Sequence, residues 1–142
     1  TVKAMKIYAV VGFITILLGL YLVGAYISGN ITSFHYIFVN IHIVFAVFGF
    51  ATIIIMGVAF QVIPMFYVAN DLPKYIQNTF PILIVIMLIL FSIFTILDIS
   101  VDSVKIIFAI LLSLFAIYAL KSLNNRRRFV FDVTLWYWKI SL

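Results

Sequence analysis

Four apolar stretches, at roughly 7–27, 36–63, 80–97 and 104–120, contain no Asp, Glu or Arg and a single Lys, Lys105 at the edge of the last. A bilayer core about 30 Å thick is crossed by about 20 apolar residues of helix, each adding about 1.5 Å. A helix also bonds its own backbone groups where no water can reach them. The chain is therefore expected to be an all-α integral membrane protein, a single domain over residues 1–142 with four transmembrane helices. The bulk composition agrees: 67% of residues are hydrophobic and 9% charged, against about 25% charged in a soluble domain. Mean hydropathy is +1.32. The absence of cysteine excludes disulfides, thiolate metal sites and thiol catalysis within this sequence.

The connections are short, which predicts an up-down antiparallel bundle. Ser28 to Ser33 form the first, closing a span interrupted only by Gly12, Gly19, Gly24 and a Thr15 able to bond back to its own helix. The second span, about 36–63, is long enough to tilt and is expected to close at Pro64. A connection of about 65–78 follows, holding Asn70, Asp71, Pro73 and Lys74, and Pro81 is expected in the first turn of the third span. Asp98 and Asp102 mark the next turn. Beyond the fourth span, Lys121 to Asp132 contain Arg126, Arg127 and Arg128, and from about Val133 an aromatic segment with Trp136, Tyr137 and Trp138 reads as the interfacial start of a fifth helix. The chain opens on Thr1 and ends soon after that apolar turn, as expected of one portion of a larger protein. The first apolar run is too long for a cleaved signal peptide and lacks its small-residue cleavage site.

Eight of the nine basic residues fall on one side if the N-terminus is cytoplasmic: Lys3, Lys6, Lys74, Lys121, Arg126, Arg127, Arg128 and Lys139, with Lys105 alone opposite. The positive-inside rule then places the N-terminus and the Arg126–Arg128 segment in the cytoplasm, with a bacterial inner membrane as the expected location. The formal charge of +5 serves orientation and contact with anionic headgroups, and no nucleic-acid partner is expected. The expected partners are the lipid bilayer, further transmembrane helices of the same or another chain, and another copy in a homo-oligomer.

The spans hold almost no ionisable groups, which weighs against ion coupling. Asp98, Asp102 and Lys105 read as a solvated turn, and the Asn30-Ile31-Thr32 sequon lies too close to the membrane to be used. The second span is the informative one. At about 100° per residue, Gly49 lies about −20°, Ala46 about +40°, Gly57 about +60° and Pro64 about +40° from His42. One stripe thus combines an imidazole with small residues. An axial haem ligand needs an imidazole nitrogen, and a flat macrocycle needs a face without side chains. The same pattern also serves plain helix packing. His35, seven residues earlier, is about 10 Å away along the helix and cannot share one iron with His42.

His42, Gly49-Phe50, Gly57 and Pro64 resemble the second helix of haem–copper oxidase subunit I and its relatives, which include the NnrS family. The similarity covers about 25 residues, and Val44 stands where many relatives carry a second histidine. The resemblance implies the N-terminal portion of a haem-binding respiratory or nitric-oxide-related membrane protein. His42 would be the metal ligand of a b-type haem, with Ala46 and Gly49 beneath the macrocycle. The remaining oxidase ligands lie on later helices of that family, so no complete oxidoreductase site is expected here and no catalytic residue is assigned. Two other readings stay open. One is a non-catalytic structural or assembly bundle. The other is part of a transporter, with Asn40, Thr52 and Gln61 along a polar path.

Overall fold

The structure is a computed structural model that describes residues 2–126 and 133–141. Its elements are helices: α1 (Val2–Ile27), α2 (Ser33–Val44), a π-helical segment (Phe45–Ala51), α3 (Thr52–Tyr67), α4 (Lys74–Ile96), α5 (Asp102–Asn124) and α6 (Val133–Ser141). Among the described residues, four continuous helices are long and apolar enough to cross a membrane: Lys3–Ile27, Phe34–Tyr67, Lys74–Ile96 and Asp102–Asn124. The protein is an all-α membrane bundle whose outer faces carry exposed Phe13, Ile16, Leu20, Ile55, Ile106 and Ile117, the residues a lipid phase accepts.

The second spanning helix is the centre of the bundle. Its α2, π and α3 portions pack against α1 and α4, and α3 also packs against α5. Ile53, Met56, Ile63, Ile76, Ile84, Leu88 and Leu123 are fully buried between these helices. Hydroxyl side chains inside the spans return their protons to carbonyls one turn back: Thr15 to Val11 (2.8 Å), Ser92 to Leu88 (2.8 Å), Thr95 to Phe91 (2.7 Å) and Ser113 to Ala109 (2.8 Å). That is how a lone hydroxyl avoids an unpaired donor in hydrocarbon.

Two expected boundaries are corrected. Pro64 does not close the second span: it lies inside α3, which runs to Tyr67. The Pro64 ring costs the bond to the carbonyl four residues back, but the following amides are unaffected, so one more turn forms. Pro81 is not in the first turn of its helix either. The helix begins at Lys74, after Pro73, and Pro81 is a fully buried interior residue. Lys74, Gln77, Asn78 and Thr79 read as a connection because they are polar, yet a helix continues through headgroup depth without needing apolar side chains. Gln77 donates its amide N–H to the Leu72 carbonyl at 2.8 Å and so secures that first turn.

Three helices end alike. The N–H of Asn30 donates to Ala25 O (3.1 Å), that of Ala69 to Pro64 O (3.3 Å) and that of Ile99 to Phe94 O (2.9 Å). Each bond spans a residue of positive φ: Gly29 at 70°, Val68 at 50° and Asp98 at 56°. This is the Schellman arrangement, announced in the sequence only where the residue is glycine.

The aromatic segment from Val133 is helical, as expected. α6 is tied to the bundle by a hydrogen bond of 2.8 Å between the Tyr67 and Thr134 hydroxyls, with Leu135 buried beside it. Of the expected basic segment, Arg127 and Arg128 lie outside the described residues. Arg126 donates to the Leu123 carbonyl.

The histidine and glycine face of the second spanning helix

His42 is half-buried on α2 with its ring against α1: a methyl group built on Gly19 would lie 3.1 Å from His42 Cε1. Two turns on, a methyl on Gly49 would lie 2.7 Å from Val11 Cγ1 and 2.8 Å from Leu88 Cδ1. Further along, one on Gly57 would meet the Ala4 methyl at 3.9 Å. The partners step in opposite directions, 42, 49 and 57 on one helix against 19, 11 and 4 on the other. That constant stagger is an antiparallel helix interface. Phe50 completes it by laying its ring on Gly12, 2.7 Å from where a methyl would sit. The expected stripe is thus real as a packing seam, with notches on both helices.

The seam survives an irregularity that the sequence does not announce. Phe45–Ala51 form a π-helical segment, in which each amide reaches one residue further back than in an α-helix. Thr52 caps it, giving its hydroxyl proton to Val47 O at 2.9 Å, five residues back. A uniform 100° per residue therefore fails between His42 and Gly49. Gly49 is buried against α1 and α4, while Ala46 is only half-buried. On the far side of the segment Phe48 meets Phe108 of α5 edge to face, with ring centres 5.2 Å apart.

Along this seam, the room that a porphyrin beneath the imidazole would need at Gly49 is taken by Val11 and Leu88. Two apolar cavities flank the seam, the first of them walled by the same Val11 and Leu88. One of about 440 Å³ opens between α1 and α4 beside Val10, Val85 and Ile89, and one of about 390 Å³ lies between the Val44–Phe48 side of the helix and α5. His42 lines neither. Among the described residues, no three His, Cys, Asp or Glu groups come together as a metal site. His42 does retain one unusual property. Its Nδ1 is buried without a hydrogen-bond partner, and His35 Nδ1 is in the same position. A buried ring nitrogen left unpaired costs stability.

The polar residues named for a transport path lie apart from one another. Thr52 bonds to its own helix and Gln61 is exposed beside a cavity near Pro64, Asp71 and Gln77. Asn40 lines a different cavity, on the side of α2 facing Phe91, Asp98 and Lys105. That crevice was missed from sequence because its polar residues come from three helices and one turn. No protein-family model, characterised protein or solved structure shows significant similarity to the chain.

Proposed function

We propose that this chain is a packing bundle of the membrane, a structural portion that holds further transmembrane helices of its own or a partner chain. The observation that supports this best is the occupancy of the glycine seam. Gly12, Gly19 and Gly49 receive Phe50, His42, Val11 and Leu88 of the same chain. Where lipid and side chain are equally apolar, helices associate through such close contacts rather than through hydrophobic burial. On this reading both termini are cytoplasmic, following the basic-residue asymmetry. The test is an absorbance spectrum of the purified, reduced and oxidised protein. A stable, monodisperse and colourless protein supports the packing role, and a Soret band that shifts on reduction overturns it.

A second reading keeps His42 as axial ligand of a b-type haem held between this bundle and helices outside it. It rests on the resemblance of His42, Gly49, Gly57 and Pro64 to the second helix of haem–copper oxidase subunit I, while the buried, unpaired Nδ1 of His42 counts against it, because an iron-ligating imidazole donates its other N–H to a partner. On that reading His42→Ala abolishes the Soret band and His35→Ala leaves it, and equal loss from both changes refutes the assignment.

A further inference from the structure

Two cavities adjoin at the end of the bundle that carries the Asp98–Val101 turn. The first, about 390 Å³, is apolar, between Phe48 and the Phe108, Ala109 and Leu112 side of α5. The second, about 370 Å³, is its polar mouth, with Asn40, Thr95 and Asp98 in its wall. Val44, Phe91 and Lys105 line both, so the two form one slot with Lys105 at the junction. From Lys105 to Leu112 the slot follows α5 for two turns, about 10 Å. Its polar end borders the spans Lys74–Ile96 and Asp102–Asn124, which places it at the depth of lipid headgroups.

The charges of the mouth are arranged as a pair of opposite sign. Lys105 makes a 3.0 Å ion pair with Asp102, but both side chains are largely exposed, at 60% and 75%. Such a pair exchanges readily for another anion. Asp98 makes no ion pair among the described residues. A cation and a free carboxylate on one rim, above an apolar slot, match an amphiphile with a phosphate, an ammonium and a long tail.

We propose that this slot holds one phospholipid with a primary ammonium headgroup, phosphatidylethanolamine. One acyl chain lies along Phe108 and Leu112, the phosphate meets Lys105, and the ammonium meets Asp98. Asp98 selects among headgroups. Phosphatidylglycerol offers it no cation, and the quaternary ammonium of phosphatidylcholine has no N–H to donate to it. This proposal is independent of whether the glycine seam or His42 carries the wider function.

The experiment is native mass spectrometry of the full chain released from detergent, in competition between phosphatidylethanolamine, phosphatidylglycerol and phosphatidylcholine of matched acyl chains. Phosphatidylethanolamine is expected to be retained about ten-fold over phosphatidylcholine, the change one charge-assisted hydrogen bond supplies. Asp98→Asn keeps a residue tolerant of positive φ and removes the preference. Lys105→Gln weakens retention of all three lipids, since each carries the phosphate. Ala109→Trp, which fills the slot, abolishes retention of all three, with helix content by circular dichroism matching the parent. Equal retention of the three lipids by the parent overturns the proposal. So does a preference that survives Asp98→Asn, or retention unchanged in a folded Ala109→Trp variant.

Discussion

Gly49→Ala is the smallest change that tests whether the seam holds the bundle together. The added methyl lies 2.7 Å from Val11 Cγ1 on α1 and 2.8 Å from Leu88 Cδ1 on α4. Ordinary carbon contacts are about 3.5–4.0 Å, so each neighbour must give by about 1 Å. Because they belong to two different helices, one shift cannot relieve both. Overpacking of this kind costs about 1–3 kcal/mol, and alanine returns up to about 1 kcal/mol over glycine within a helix. The net expectation is a loss of up to about 2 kcal/mol, smallest if the flexible end of Leu88 swings aside. Gly57→Ala is the matched control on the same helix. Its methyl sits 3.9 Å from the Ala4 methyl, an ordinary contact, so only the propensity gain remains and stability holds or rises. Gly24→Ala meets nothing within 4 Å and should also be harmless. The assay is reversible unfolding of the purified chain by sodium dodecyl sulfate in mixed micelles, followed by helical circular dichroism. A Gly49→Ala variant that gains stability as Gly57→Ala does refutes the seam. So does Gly57→Ala destabilising as much as Gly49→Ala.

Other outcomes follow from single features. Val68 holds φ at 50° at the end of α3 and is half exposed, a costly conformation for a β-branched residue. Val68→Gly should therefore stabilise by about 1 kcal/mol in the same unfolding assay. Tyr67→Phe removes the 2.8 Å bond to Thr134 while keeping the ring. It should cost about 1 kcal/mol and speed amide exchange across Val133–Ser141, with unchanged exchange showing that α6 is held by other contacts. A reporter fused after Lys121 should behave as cytoplasmic, and an exported reporter there overturns the proposed orientation.

The four spans were legible because lipid imposes a simple demand: some 20 residues without charge, whatever their order. Where that demand lapses, at headgroup depth, polarity stopped indicating structure, and the starts of α4 and the end of α3 were misplaced. The stripe through His42, Gly49 and Gly57 was visible as a set of missing side chains. What fills it was not visible, since Val11 and Leu88 look like any other lipid-facing residue in sequence. The π segment left no signal either. Its residues, Phe45 to Ala51, include no proline and no polar side chain that would mark it. The Asn40, Asp98 and Lys105 slot is a tertiary juxtaposition that no local spacing encodes.

The antiparallel seam bears on how the chain enters a bilayer. Every notch joining Gly12 and Gly19 of α1 to the second spanning helix is filled by residues of these two helices alone, Phe50 and His42. The pair can therefore close as a hairpin once both have been inserted, before the later helices arrive. Gly49 is different, because its cover includes Leu88 of α4. With insertion in chain order, the third span docks onto that hairpin, and α5 then closes over α3 and α4 ahead of α6. Biogenesis in this order leaves each newly inserted helix with one partner waiting, and it makes the turn at Ser28 to Ser33 the joint on which assembly begins.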